Sequence, residues 1–155
     1  MTLRYVTKQD DAVARFVTQR IAHCDPRGFP KGFEAIGILD NRELVAGLVY
    51  YSHQPVAGTI ELAAAAAPGH HWLSRAIVER TFEHAFRTRG CQMVIMRVRM
   101  DNKPLWSRLA EFGFDLAYVS RLYGRSQGGV ICTFTDDKWA KHPLNRHRHA
   151  QQEAA

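Results

Sequence analysis

Apolar residues first gather in a short run, Leu3 to Val6, that predicts a strand. From Lys8 to His23, Val13, Phe16, Val17 and Ile21 return at helical spacing, which predicts an amphipathic helix. Asp25-Pro26-Arg27-Gly28-Phe29-Pro30-Lys31-Gly32 is dense in breakers and predicts a loop. Phe33 to Leu39 and Leu44 to Ser52 are β-forming runs on either side of the polar Asp40-Asn41-Arg42-Glu43, the pattern of a hairpin. After a loop at Gln54 to Gly58, the run from Thr59 ends in alanines at Ala63 to Ala67. Alanine favours helices, but Pro68-Gly69 stops the run where an isolated helix would be marginal. A strand is expected, with side chains small enough to let another molecule approach its backbone.

Helical spacing returns from Trp72 to Thr88 through Leu73, Ile77, Val78, Phe82, Ala85 and Phe86, with Arg87, Arg89 and Gly90 as stop signals. Cys91 to Met100 alternates, with Val94, Met96, Val98 and Met100 on one face and Ile95, Arg97 and Arg99 on the other. Asp101 or Asn102 can cap a helix running to about Phe112, with Pro104 near its first turn and Gly113 at its end. Leu116 to Tyr123 and Val130 to Phe134 read as two strands joined through Ser126-Gln127-Gly128-Gly129. The order β-α-β-β-β-α-β-α-β-β predicts an α/β (α+β) fold, a mixed sheet with helices on its faces.

Composition narrows the class. At 155 residues, 46% hydrophobic and 23% charged, the chain is expected to form one globular domain. No repeat or low-complexity linker divides it, so the domain is drawn over residues 1–139, followed by a basic tail over 140–155 that is expected to fray. Cys24, Cys91 and Cys132 are odd in number and lie in apolar runs, which is no disulfide framework and suits a reducing, cytoplasmic setting. No apolar run approaches the ~18 residues that span a bilayer, so no membrane partner is expected. The charged positions Lys8, Asp10 and Asp11 follow Met1 too soon for a signal peptide. His70-His71 has no partner at i+4, and no metal site is expected.

The net charge of +6 is concentrated. Arg87, Arg89, Arg97, Arg99, Lys103 and Arg108 stand against Asp101 alone, a local balance of +5. This basic zone points to an anionic partner, nucleic acid or a phosphorylated small molecule. No helix-turn-helix or paired strand aromatics of a nucleic-acid binder is present, so nucleic acid is not the preferred partner.

Asn102 at the end of its strand, Gly113-Phe114 eleven residues further on, and the order of elements together carry a resemblance. From about Leu3 to about Trp139 the chain resembles the GNAT superfamily of acyl-CoA-dependent N-acetyltransferases. The resemblance implies a mixed, mostly antiparallel sheet with helices on both faces, acetyl-CoA as cosubstrate, and direct attack by a primary amine in a ternary complex. The acceptor, whether a protein N-terminus, a lysine or a small amine, is not named by the residues. A strand, tight turn and helix N-terminus present free N–H groups and a positive dipole end, which suit a pyrophosphate. His70, His71, Trp72, Leu73, Ser74 and Arg75 form that turn, and Ala64, Ala65 and Ala66 would line the pantetheine slot. Asn102 would position the cofactor arm or a bound water.

The family's Q/R-x-x-G-x-G/A turn is altered here: Gly69 falls at the Gln or Arg position, and Trp72 and Ser74 at the glycines. This resembles an atypical branch loosely similar to acetyltransferases of ribosomal protein N-termini. Leu109 occupies the position where many members carry a tyrosine that protonates the leaving thiolate. Glu61 is the first candidate base, since some members place a catalytic Glu on that strand; the alternative is that it faces solvent or pairs with Arg97 or Arg99. His53, at a strand end, is the second candidate, with a half-exposed structural role as its alternative. A homodimer through a free strand edge or the late hairpin is left open. The competing functional reading is a catalytically inactive module on the same fold, contacting nucleic acid or protein through its basic face.

Overall fold

The computed structural model describes residues 3–21, 25, 27–69 and 71–145. Seven strands form one sheet. β1 (Leu3–Val6) is followed by helix α1 (Asp10–Arg20), the hairpin β2 (Glu34–Asp40) and β3 (Glu43–Gln54), and β4 (Thr59–Ala66). Helix α2 (Arg75–Glu83) runs directly into a π-helical turn at His84–Thr88, then β5 (Met93–Arg99), α3 (Lys103–Phe112), β6 (Asp115–Val119), β7 (Gly129–Thr135) and a short α4 (Asp136–Ala140). The spatial order is β1-β2-β3-β4-β5-β7-β6, antiparallel at every junction except β4–β5. The β2–β3 turn places Asn41 at φ 49° and Arg42 at φ 74°, the doubly left-handed geometry that matches strand twist in two-residue hairpins.

Helices cover both faces. On one, Val13, Ala14, Phe16 and Val17 of α1 pack on Ala35 and Val49. α1 can settle there because Gly37 and Gly47 are cross-strand partners beneath it. A Cβ on Gly47 would stand 2.8 Å from methyls of both Val13 and Val17. On the other face, α2, α3 and α4 bury an aromatic cluster in which Phe82 touches the rings of Phe86, Phe112, Phe114, Phe134 and Trp139. Tyr50 reaches into this layer from β3 and donates its hydroxyl to the Thr81 carbonyl at 2.7 Å. No helix among the described residues is long and apolar enough to cross a membrane.

Several boundaries differ from the periodicity. α1 begins at Asp10, because Lys8 is left-handed at φ 61°, and the Asp10 carboxylate instead accepts from the Ala35 N–H at 3.0 Å. α2 begins at Arg75 rather than Trp72, because Ser74 is the N-cap and its Oγ accepts from the Ile77 N–H at 3.2 Å. β6 stops at Val119, short of Tyr123, where Arg121 turns left-handed at φ 62°. Residues 141–145 also pack against the domain. His142 stacks on Phe112 at 4.1 Å, its Nδ1 accepts from the Leu144 N–H, and its Nε2 therefore donates to the Phe112 carbonyl. Asn145 is buried and donates to the Trp139 carbonyl at 2.9 Å. Packing is therefore described as far as Asn145; residues 146–155, with Cys24, His23 and His70, lie outside the described residues.

Candidate functional site

The sheet parts in its middle. β4 and β5 pair in parallel only at Thr59–Met93, Ile60–Val94 and Glu61–Ile95. Beyond these pairs β4 stays with β3 as far as Ala66, and β5 stays with β7 as far as Arg99. The gap widens into a cleft of about 800 Å³, with Leu62–Ala66 and Met96–Arg99 on its two sides. Asn102 and Leu105 of α3, Tyr123 of the β6–β7 loop, and Phe29 and Tyr51 beside the end of α1 complete it.

Of the residues expected at the site, Ala64, Ala65, Ala66 and Asn102 come together in this cleft. Asn102 is exposed at the N-cap of α3, and its side chain makes no capping bond, so the amide is available to a ligand. Glu61 takes the ion-pair alternative. Its Oε1 accepts from Arg97 Nε at 2.7 Å, and Arg97, not Glu61, lines the cleft. The same bond raises the Arg97 pKa, so the guanidinium stays charged. His53 is not brought to the cleft. It follows Ser52, left-handed at φ 50° where the β3–β4 register slips, and its Nδ1 lies 3.5 Å from Arg89.

The turn before α2 stands apart from the cleft lining. His71 is exposed, Leu73 is 63% exposed, and Trp72 packs against the aromatic layer. Arg75 donates to the Pro143 carbonyl at 3.1 Å, which ties α2 to the chain after α4. Leu109 is partly buried and packs against the core.

The sequence marks Arg97 and Arg99 as members of a basic zone and as partners for Glu61, but does not mark them, Tyr51 or Phe29 as walls of one cleft. A signal for Tyr123 existed in Gly128-Gly129. A Cβ on Gly129 would meet Tyr123 Cε2 at 2.8 Å, so this glycine lets the loop fold its tyrosine back over β7. Arg99 fastens the same loop by donating to Gln127 Oε1 at 2.9 Å. Burial raises the Tyr123 pKa, which keeps its phenol protonated at neutral pH. Among the described residues no cluster of three or more His, Cys, Asp or Glu could hold a metal ion.

No family model and no curated protein matches the sequence. Solved structures do. The spermidine/spermine N-acetyltransferase SpeG from Vibrio cholerae, in complex with manganese ions, superposes with a TM-score of 0.72 at 13% identity, covering 90% of this chain and 95% of that one. The fold is the GNAT fold. A dodecameric spermidine N-acetyltransferase from Vibrio cholerae in an intermediate state gives a TM-score of 0.70 at 14% identity, over 88% of this chain and 95% of that one. At such identity it is the fold that is shared.

Proposed function

We propose that the protein is an N-acetyltransferase that moves an acetyl group from acetyl-CoA to a primary amine. The observation that carries this reading is the parting of β4 and β5 after Glu61–Ile95, which leaves Leu62–Ala66 without a β5 partner in mid-sheet. An unpaired strand edge needs partners for its backbone groups, and the amides of pantetheine can supply them as an added strand does. The alanines keep that edge open to close approach. Next along the chain, the N-terminus of α2 offers its positive dipole end to the pyrophosphate, although Ser74 already takes the Ile77 N–H.

Acetyl-CoA supplies an activated carbonyl. The acceptor's neutral nitrogen attacks the carbonyl carbon; a C–N bond forms as the carbonyl electrons move onto oxygen, where backbone N–H groups of the β4 edge can stabilise the charge. The C–S bond then breaks, the thiolate carries off its electron pair, and the nitrogen gives up one proton. With Leu109 in place of tyrosine, solvent returns a proton to the thiolate. Glu61 is the proposed base, acting through a water from the carboxylate oxygen that Arg97 does not hold.

Calorimetric titration with acetyl-CoA, with desulfo-CoA and ATP as controls, tests the reading. Micromolar binding of acetyl-CoA without binding of ATP is expected, followed by thiol release when a suitable amine is added. Absence of acetyl-CoA binding overturns it.

A further inference from the structure

We infer that the acceptor carries a carboxylate next to its amine and an apolar body, as a hydrophobic α-amino acid does, and is not a polyamine. The inference rests on the acetyltransferase reading and concerns the acceptor end of the same cleft.

A polycation needs carboxylates that nothing else has claimed. The carboxylates in or beside this cleft among the described residues each stand against a guanidinium, so none presents an uncompensated negative charge. Glu61 pairs with Arg97 at 2.7 Å, Asp101 with Arg99 at 2.8 Å, and Asp25 with Arg27 at 2.8 Å. Arg27 beside Asp25 holds that carboxyl down at about 2, so it is ionised at neutral pH and its charge is met by the neighbouring guanidinium. Arg20 adds a further cation to the lining; its guanidinium lies over the Phe16 ring at 3.6 Å. A polyamine entering here would face guanidinium groups with no free counter-charge.

The same arrangement suits an anion. Arg97 spends only Nε on Glu61, and its side chain is 47% exposed, so both Nη groups remain for a second carboxylate in the forked geometry that guanidinium prefers. Tyr51 lies within electrostatic reach of this guanidinium, and its ring sits 5.0 Å from that of Phe29. With Pro30, these rings make an apolar wall at the α1 end of the cleft. A carboxylate on the Arg97 fork and a side chain on the Phe29–Tyr51 wall would leave the intervening amine directed to the gap between β4 and β5, where the thioester is proposed to lie.

The test uses the full chain with saturating acetyl-CoA and three probes: L-phenylalanine, phenethylamine (the same body without the carboxylate) and spermidine. Thiol release is read as kcat/KM, and acetyl-CoA affinity is measured in parallel by calorimetry. Phenylalanine is expected to exceed phenethylamine and spermidine by about tenfold or more, the effect of one charged, two-point hydrogen-bonded contact. Arg97→Gln is expected to lower kcat/KM for phenylalanine, mainly through KM, by about tenfold more than for phenethylamine or spermidine, beyond any loss shared by all three through Glu61; Arg97→Lys restores part of the preference. Equal or better use of phenethylamine or spermidine overturns the inference, as does an equal loss on all three probes in Arg97→Gln. Acetyl-CoA binding without transfer to phenylalanine overturns the acceptor class alone, whereas failure to bind acetyl-CoA overturns the acetyltransferase reading beneath it.

Discussion

Ser74 spends its hydroxyl on its own helix, capping α2 through the Ile77 N–H at 3.2 Å. Removing that cap with Ser74→Ala is expected to cost about 1 kcal/mol of stability in a denaturant titration, with little change in cofactor affinity. Ser74→Glu instead sets a carboxylate beside the proposed pyrophosphate, and calorimetry is expected to show acetyl-CoA affinity falling at least tenfold. Unchanged affinity would move the phosphates away from α2. Single residues were legible in proportion to how local their roles are. Asn102 could be placed because a strand end and a helix start fix it within a few positions. Glu61 could not be decided, since its partner Arg97 comes from β5, whose distance depends on where the two strands part. His53 stands away from the cleft where one left-handed residue, Ser52, falls at the slip in the β3–β4 register, which no periodicity announces.

Elements were easier to read than their ends. All ten predicted elements are present in the predicted order, because hydrophobic periodicity survives tertiary packing. α4 was missed: at Asp136–Ala140 it is too short to show a period, and it declares itself only through the Thr135 cap and the acidic first turn. The π-helical turn after α2 is equally silent in sequence, since five residues are too few to show a change of period. The seat of α1 was also invisible, because a glycine inside a strand does not say which helix will press on it. Gly47→Ala tests that seat. With methyls of Val13 and Val17 only 2.8 Å from the added Cβ, overpacking is expected to cost roughly 1–3 kcal/mol in urea denaturation. A cost near zero would mean that α1 shifts freely on the sheet.

At the scale of the molecule, the core is built to hold neutral acids. Burial pushes the Cys132 thiol from 9.0 up to about 11, and the Cys91 thiol and the Tyr50 phenol are raised as well. Their contribution to stability is fully present below the unfolded values. As pH climbs past about 9, the unfolded chain releases protons that the folded chain retains, so stability falls toward pH 11. Thermal melts across pH 8 to 11 are expected to show Tm declining with this sign, and Cys132→Ala is expected to flatten the decline. A Tm constant over that range would contradict the buried, protonated thiol.

The brevity of the β4–β5 seam has a mechanical consequence. Three rungs, Thr59 to Glu61 against Met93 to Ile95, are all the backbone ladder between a leaf of four strands and a leaf of three. The backbone ladder joins the two leaves only at the foot, like a spine stitched at one end, while the buried layer under α2 spans both. Bending is concentrated at the stitching, and the Arg97–Glu61 ion pair crosses it at the open end like a clasp. A ligand whose amides complete the missing rungs would bind the leaves into one volume, so filling the gap stiffens the whole protein and emptying it lets them breathe.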